Sequence, residues 1–120
     1  MVLQFKQKKT IEFVLLLLVY GLCIVLASAL WAHPAKLTGC YVLISILTLL
    51  KWHTKADLFS YVAAAVLGPL GEAVAVHYGA WTYAKSSLVI PIWLPLLWGV
   101  AGSFLRRLTW TMTKMQPNRE

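Results

Sequence analysis

One carboxylate stands apart in this sequence. Glu72 lies in Leu67-Gly68-Pro69-Leu70-Gly71-Glu72-Ala73-Val74-Ala75-Val76-His77-Tyr78, and it is the only Asp, Glu, Lys or Arg between Asp57 and Lys85. A lone carboxyl in an apolar stretch can act as a general acid or base, hold the polar end of an apolar ligand, or carry a proton. If the stretch is a membrane helix, an ionised carboxylate there costs several kcal/mol unless it is paired or wet, so it marks a functional site by default.

The neighbouring residues suit a cavity. Gly68, Pro69 and Gly71 remove side-chain bulk and are expected to break the helical hydrogen-bond ladder. Such breaks at membrane depth face protein or water. Further on, Ile90-Pro91-Ile92-Trp93-Leu94-Pro95-Leu96-Leu97-Trp98-Gly99 supplies two more expected breaks, Pro91 and Pro95, with Trp98, Gly99 and Gly102 on the same side. Glu72, His77, Trp81, Tyr83, Trp93 and Trp98 can therefore converge on one aromatic pocket, suited to a flat or rod-like apolar ligand. His77 is about 140° around a straight helix from Glu72, so it joins only if the helix bends. Plainer readings stand beside this one. Trp81, Tyr83 and Trp93 fit an interfacial aromatic belt, with His77 as an interfacial polar residue. Gly99 and Gly102 fit close helix packing. Glu72 itself fits a structural hydrogen bond to a neighbouring helix.

The elements that position these residues follow from composition. Of 120 residues, 60% are hydrophobic and 12% charged, about half the charged fraction of a soluble domain. The expected fold is all-α, a single polytopic transmembrane domain of four helices over about 11–31, 37–52, 57–78 and 88–108, with a polar tail at 109–120. Counting about 1.5 Å per residue from Asp57 puts Glu72 roughly 22 Å along the third helix, past the midplane. Asp57 is expected to cap or acidify that helix's first turn. Of the 11 Lys and Arg, nine (Lys6, Lys8, Lys9, Lys51, Lys55, Arg106, Arg107, Lys114, Arg119) fall on one side of this layout and Lys36 and Lys85 on the other. That bias predicts both termini in the cytoplasm and an outward-facing Glu72 pocket. Arg106, Arg107 and the terminal lysines are expected to meet anionic headgroups, and Glu12 and Asp57 to be structural residues at the interfaces.

Other classes find little support. The net charge of +7 sits in clusters between apolar runs, which is membrane topology and not a nucleic-acid surface. Lys6, Lys8 and Lys9 before an apolar run, with Ala27-Ser28-Ala29 after it, resemble a signal peptide; the length of the run favours a retained helix. Cys23 and Cys40 form no CxxC pair, and His33 and His53 are turn residues without a ligand set, so no metal is expected. No cofactor loop or nucleophile motif is present.

The pattern Glu72-x6-Gly79-x-Trp81-x-Tyr83, then Ile90-Pro91-x-Trp93-Leu94-Pro95-Leu96-x-Trp98-Gly99, resembles small uncharacterised bacterial four-helix inner-membrane proteins. Over Gly71–Arg107, about a third of the chain, it is also weakly similar to the membrane family of carotenoid hydratases and cyclases. That second resemblance implies an isoprenoid substrate, with Glu72 as acid or base. This chain is much shorter than those enzymes and lacks several of their helices. Small multidrug exporters are similar in length and span count only, and their membrane Glu is in the first span, where this chain has only Glu12 at the edge.

The expectation that results is a small bacterial inner-membrane protein. It binds a hydrophobic or lipid-like molecule beside Glu72, or uses that surface as a homo-oligomer or a subunit of a membrane complex. The alternatives are an isoprenoid-modifying enzyme and a small proton-coupled carrier.

Overall fold

A computed structural model describes the backbone of residues 2–84 and 89–115 and the side chains of 7–84 and 89–114. The side chain of Lys6, all of Lys85 and Arg119, the expected start of the fourth span at Leu88, and residues 116–120 of the expected tail lie outside the described residues.

The described residues form four helices and no strand: α1 (Val2–Leu30), α2 (Pro34–Lys51), α3 (Lys55–His77) and α4 (Leu94–Met115). Three of them are long and apolar enough to cross a membrane, over Gln7–Leu30, Pro34–Lys51 and Lys55–His77.

Local chemistry sets the boundaries. The turn after α1 closes with the His33 N–H on the Leu30 carbonyl at 2.9 Å, and Pro34 takes the first position of α2. A proline costs nothing there, because the first N–H groups of a helix have no partner. Thr54 caps α3. Its hydroxyl oxygen accepts the Asp57 N–H at 3.2 Å, while the Asp57 carboxylate accepts the Thr54 N–H at 3.0 Å. This reciprocal pair is a capping box. At the far end Gly79 has φ +84°. Its N–H reaches the Val76 carbonyl and the Ala80 N–H the Ala75 carbonyl, at 3.0 and 2.9 Å. This left-handed termination satisfies two end carbonyls and turns the chain back toward the helix.

Two expectations are corrected here. Gly68 and Pro69 do not break α3, which runs unbroken through both. Proline removes one N–H from the ladder, and the surrounding turns hold. The expected fourth span over 88–108 is shifted. Residues 91–93 form a turn, and the helix starts only at Leu94. Pro91 precedes it and Pro95 sits in its first turn, so neither interrupts it; Ile90, as the residue before a proline, is disfavoured in helical geometry. At its other end α4 continues to Met115 through Arg106, Arg107 and Lys114, so 109–115 is helix and not a loose tail. Losing apolar residues at the start and gaining charges at the end, α4 is not among the candidate spans.

The helices alternate in direction, and α4 packs against the other three. Its closest neighbour is antiparallel α3. A Cβ on Gly68 would collide with the Trp98 ring, one on Gly99 with the Tyr61 ring, and one on Gly102 with Ala64 Cβ and the Ser60 carbonyl. These three glycines let the two backbones approach.

The buried core is mixed: Leu16, Leu37, Tyr41, Ile44 and Val100 are buried beside polar residues, and large apolar residues cover the outside. Ser45, Thr48, Asp57, Ser103 and Thr111 are buried, while Leu18, Leu43, Val66, Leu67 and Leu70 are exposed. So large an exposed apolar surface fits a chain surrounded by lipid.

Candidate functional site

Glu72 projects from the last third of α3 and is half-buried. The Tyr83 hydroxyl donates to its Oε1 and the Trp98 indole N–H to its Oε2. Each donor is positioned by a feature already described. The left-handed turn at Gly79 sends residues 81–84 back over α3, which brings Tyr83 to the carboxylate. Gly68 leaves room for the Trp98 ring to lie flat on α3 one turn before Glu72. The sequence reading makes Gly68 a helix break; its role in the fold is a seat for tryptophan.

From Glu72 a chain of aromatic contacts crosses the bundle. The Tyr83 and Trp93 rings meet edge to face, centroids 6.2 Å apart. Trp93 in turn meets Tyr41 of α2 at 6.0 Å. The Tyr41 hydroxyl donates to the Cys23 carbonyl of α1 at 2.8 Å. All four helices thus fix the geometry around one carboxylate.

Beside Glu72 opens a cleft of about 560 Å³ between α1 and α4, within the range of small-molecule sites. Glu72, Tyr83, Trp93 and Trp98 line it near the end where α4 begins. Tyr20 of α1 and Phe104 of α4 line it farther along, stacked at 5.4 Å. Four of the six expected pocket residues therefore come together. Trp81 does not line this cleft; it borders a shallower depression on the opposite side of Glu72, with Gly68 and Gly71. His77 is exposed and packs on Tyr78, ring centroids 5.1 Å apart. It is not among the residues lining the cleft.

The contribution of α1 is the part the sequence reading misses, since every pocket residue it names lies beyond residue 71. Tyr20, Cys23 and Ala27 all line the cleft. Their i, i+3, i+7 spacing, one polar-tipped and two small residues in a leucine-rich run, is the signal that points to them.

A second polar cluster lies at the opposite end of the bundle. Asp57 is fully buried. Arg107 donates to it through Nε at 3.0 Å and through Nη2 at 2.8 Å. The Thr54 hydroxyl donates to the same carboxylate at 2.7 Å. Glu12 accepts from Thr111 at 2.6 Å and from the Trp52 indole at 3.2 Å. The expectation that Arg107 meets headgroups is therefore corrected: its guanidinium is committed to Asp57. Nearby, Lys9 Nζ lies 3.9 Å from the Trp110 ring centroid.

The chain matches no family model, no curated protein and no solved structure.

Proposed function

We propose that this protein is a four-span membrane protein of the bacterial inner membrane, both ends cytoplasmic, that binds a hydrophobic or lipid-like molecule in the cleft beside Glu72. The observation that carries the reading is one carboxylate held by two aromatic donors at the end of an otherwise apolar cleft. A purely structural carboxylate needs partners but no adjoining space; here it has both.

The four-span arrangement is supported by the alternating helix directions and by the nine-to-two bias of Lys and Arg. α4 crosses as a partnered helix. Its buried Ser103 faces the Asp57 carbonyl of α3, and Arg107 is neutralised by Asp57. In this orientation the Glu72 end faces the outer leaflet.

The test is to fill the cleft. Ala27 lines it from α1, and Ala27→Trp places an indole in its path. Molecules that co-purify with the wild-type protein in a mild detergent are identified by mass spectrometry and compared with those of Ala27→Trp and Glu72→Ala. A hydrophobic compound retained by the wild type and lost from both variants supports the reading. Identical co-purifying compounds in all three proteins refute it.

A further inference from the structure

The charge and shape of the cleft say more about its occupant than that it is hydrophobic. Among the described residues lining it there is one carboxylate, Glu72, and no Lys, Arg or His. The two groups bonded to that carboxylate, a phenol and an indole, are neutral donors. They satisfy part of its hydrogen-bonding capacity and bring no positive charge to it. A carboxylate has about four lone-pair directions, so two remain for a ligand. The cleft therefore offers a hydrogen-bond acceptor whose ionised form only a cationic ligand head would balance.

The walls add to the same preference. Tyr20, Tyr83, Trp93, Trp98 and Phe104 all line the cleft. The faces of such rings are negative and attract cations, tryptophan most strongly. An amphiphile with an acidic head is opposed by Glu72. A neutral one gains at most a hydrogen bond from it.

Resting on the reading of the cleft as a ligand site, we infer that it selects an amphiphile with a cationic, amine-type head and an apolar chain. The head sits on Glu72 among Tyr83, Trp93 and Trp98. The chain lies along Ile24 and Ala27 of α1 and Ala101 and Leu105 of α4. Trp98 to Leu105 spans about 10 Å of helix, room for an alkyl chain of moderate length.

The experiment uses the full chain in nanodiscs of zwitterionic lipid and three probes sharing one chain: decyltrimethylammonium, decanol and decanoate. Binding is measured as the excess over protein-free discs. The expected result is that decyltrimethylammonium binds about tenfold more tightly than decanol, with decanoate weakest, and that Glu72→Gln removes the preference. If Glu72→Gln fails to fold, the wild-type ranking decides alone. Equal excess binding of the three probes overturns the inference and leaves the ligand-site reading standing. No excess for any probe, or undiminished binding in Ala27→Trp, overturns both.

Discussion

Arg106 and Arg107 are adjacent, carry the same charge and contribute equally to the basic bias of their end of the chain, yet the fold uses them differently. Arg107 grips Asp57 with two hydrogen bonds, and the side chains are 13% and 0% exposed. Arg106 has a buried Nε without a partner among the described residues. Replacing Arg107 with Met strands a buried carboxylate at that end of the bundle. Breaking a buried pair costs about 3–5 kcal/mol when the remaining charge has no other partner. Asp57 keeps the Thr54 N–H and hydroxyl at 3.0 and 2.7 Å, so the expected loss is about 2–4 kcal/mol. Arg106→Met removes an unsatisfied buried donor and should leave stability unchanged or raise it by about 1 kcal/mol. Reversible unfolding in mixed SDS micelles, followed by tryptophan fluorescence, separates the two. Asp57→Leu combined with Arg107→Met removes the stranded charge but also the capping box, worth about 1 kcal/mol. The double variant should still be more stable than Arg107→Met alone. If Arg106→Met and Arg107→Met lose the same stability, the pair does not hold α3 to α4 and the reasoning fails.

Gly102→Leu forces α4 away from Ala64 and Ser60 and should cost about 1–3 kcal/mol in the same assay. Gly39→Ala meets nothing within 4 Å and should be neutral or gain up to about 1 kcal/mol from helix propensity; a reversed order would rule out the close packing. Pro69→Ala should leave ligand retention unchanged, since α3 is continuous through this residue, and a large loss would show that the proline shapes the site. Trp98→Phe removes the donor to Glu72 Oε2. It should cost about 1 kcal/mol and weaken retention of the co-purifying compound, which the mass-spectrometric comparison reads directly. For orientation, single cysteines replacing Ala80 and His53 in a background without Cys23 and Cys40 should react oppositely with an impermeant maleimide. Position 80 should label in intact cells and position 53 only after permeabilisation; the inverse pattern would invert the topology.

Helix number, the three long apolar helices and the first-turn role of Asp57 are all legible in the sequence, because each rests on local pattern. The boundaries of α4 are not, because the apolar run from Leu88 to Leu108 hides where Pro91 prevents helix from starting. The four-residue convergence on Glu72 is visible in outline from composition and depth. What hides the rest is tertiary. Gly68 looks like a break until the Trp98 ring is seen lying on it. Tyr20 and Cys23 look lipid-facing until α4 supplies the opposite wall. Arg107 is indistinguishable from Arg106 until Asp57, fifty residues away, is folded against it.

In the four-span reading, the packing of α4 against all three other helices also bears on how the protein is assembled. α1, α2 and α3 can each enter a bilayer on their own hydrophobicity. α4 carries Arg106, Arg107 and Lys114 and gains too little from lipid to do the same unaided. Its contacts with α3 hold it: Asp57 neutralises one arginine, Gly68 receives Trp98, and Tyr61 and Ala64 pack on Gly99 and Gly102 of α4. In that reading α4 is the helix that joins α3 to α1 and α2. A nascent chain arrested before Leu94 would leave Asp57 without its cation and α3 without the helix it packs on, a state that membrane quality control can distinguish from the finished protein.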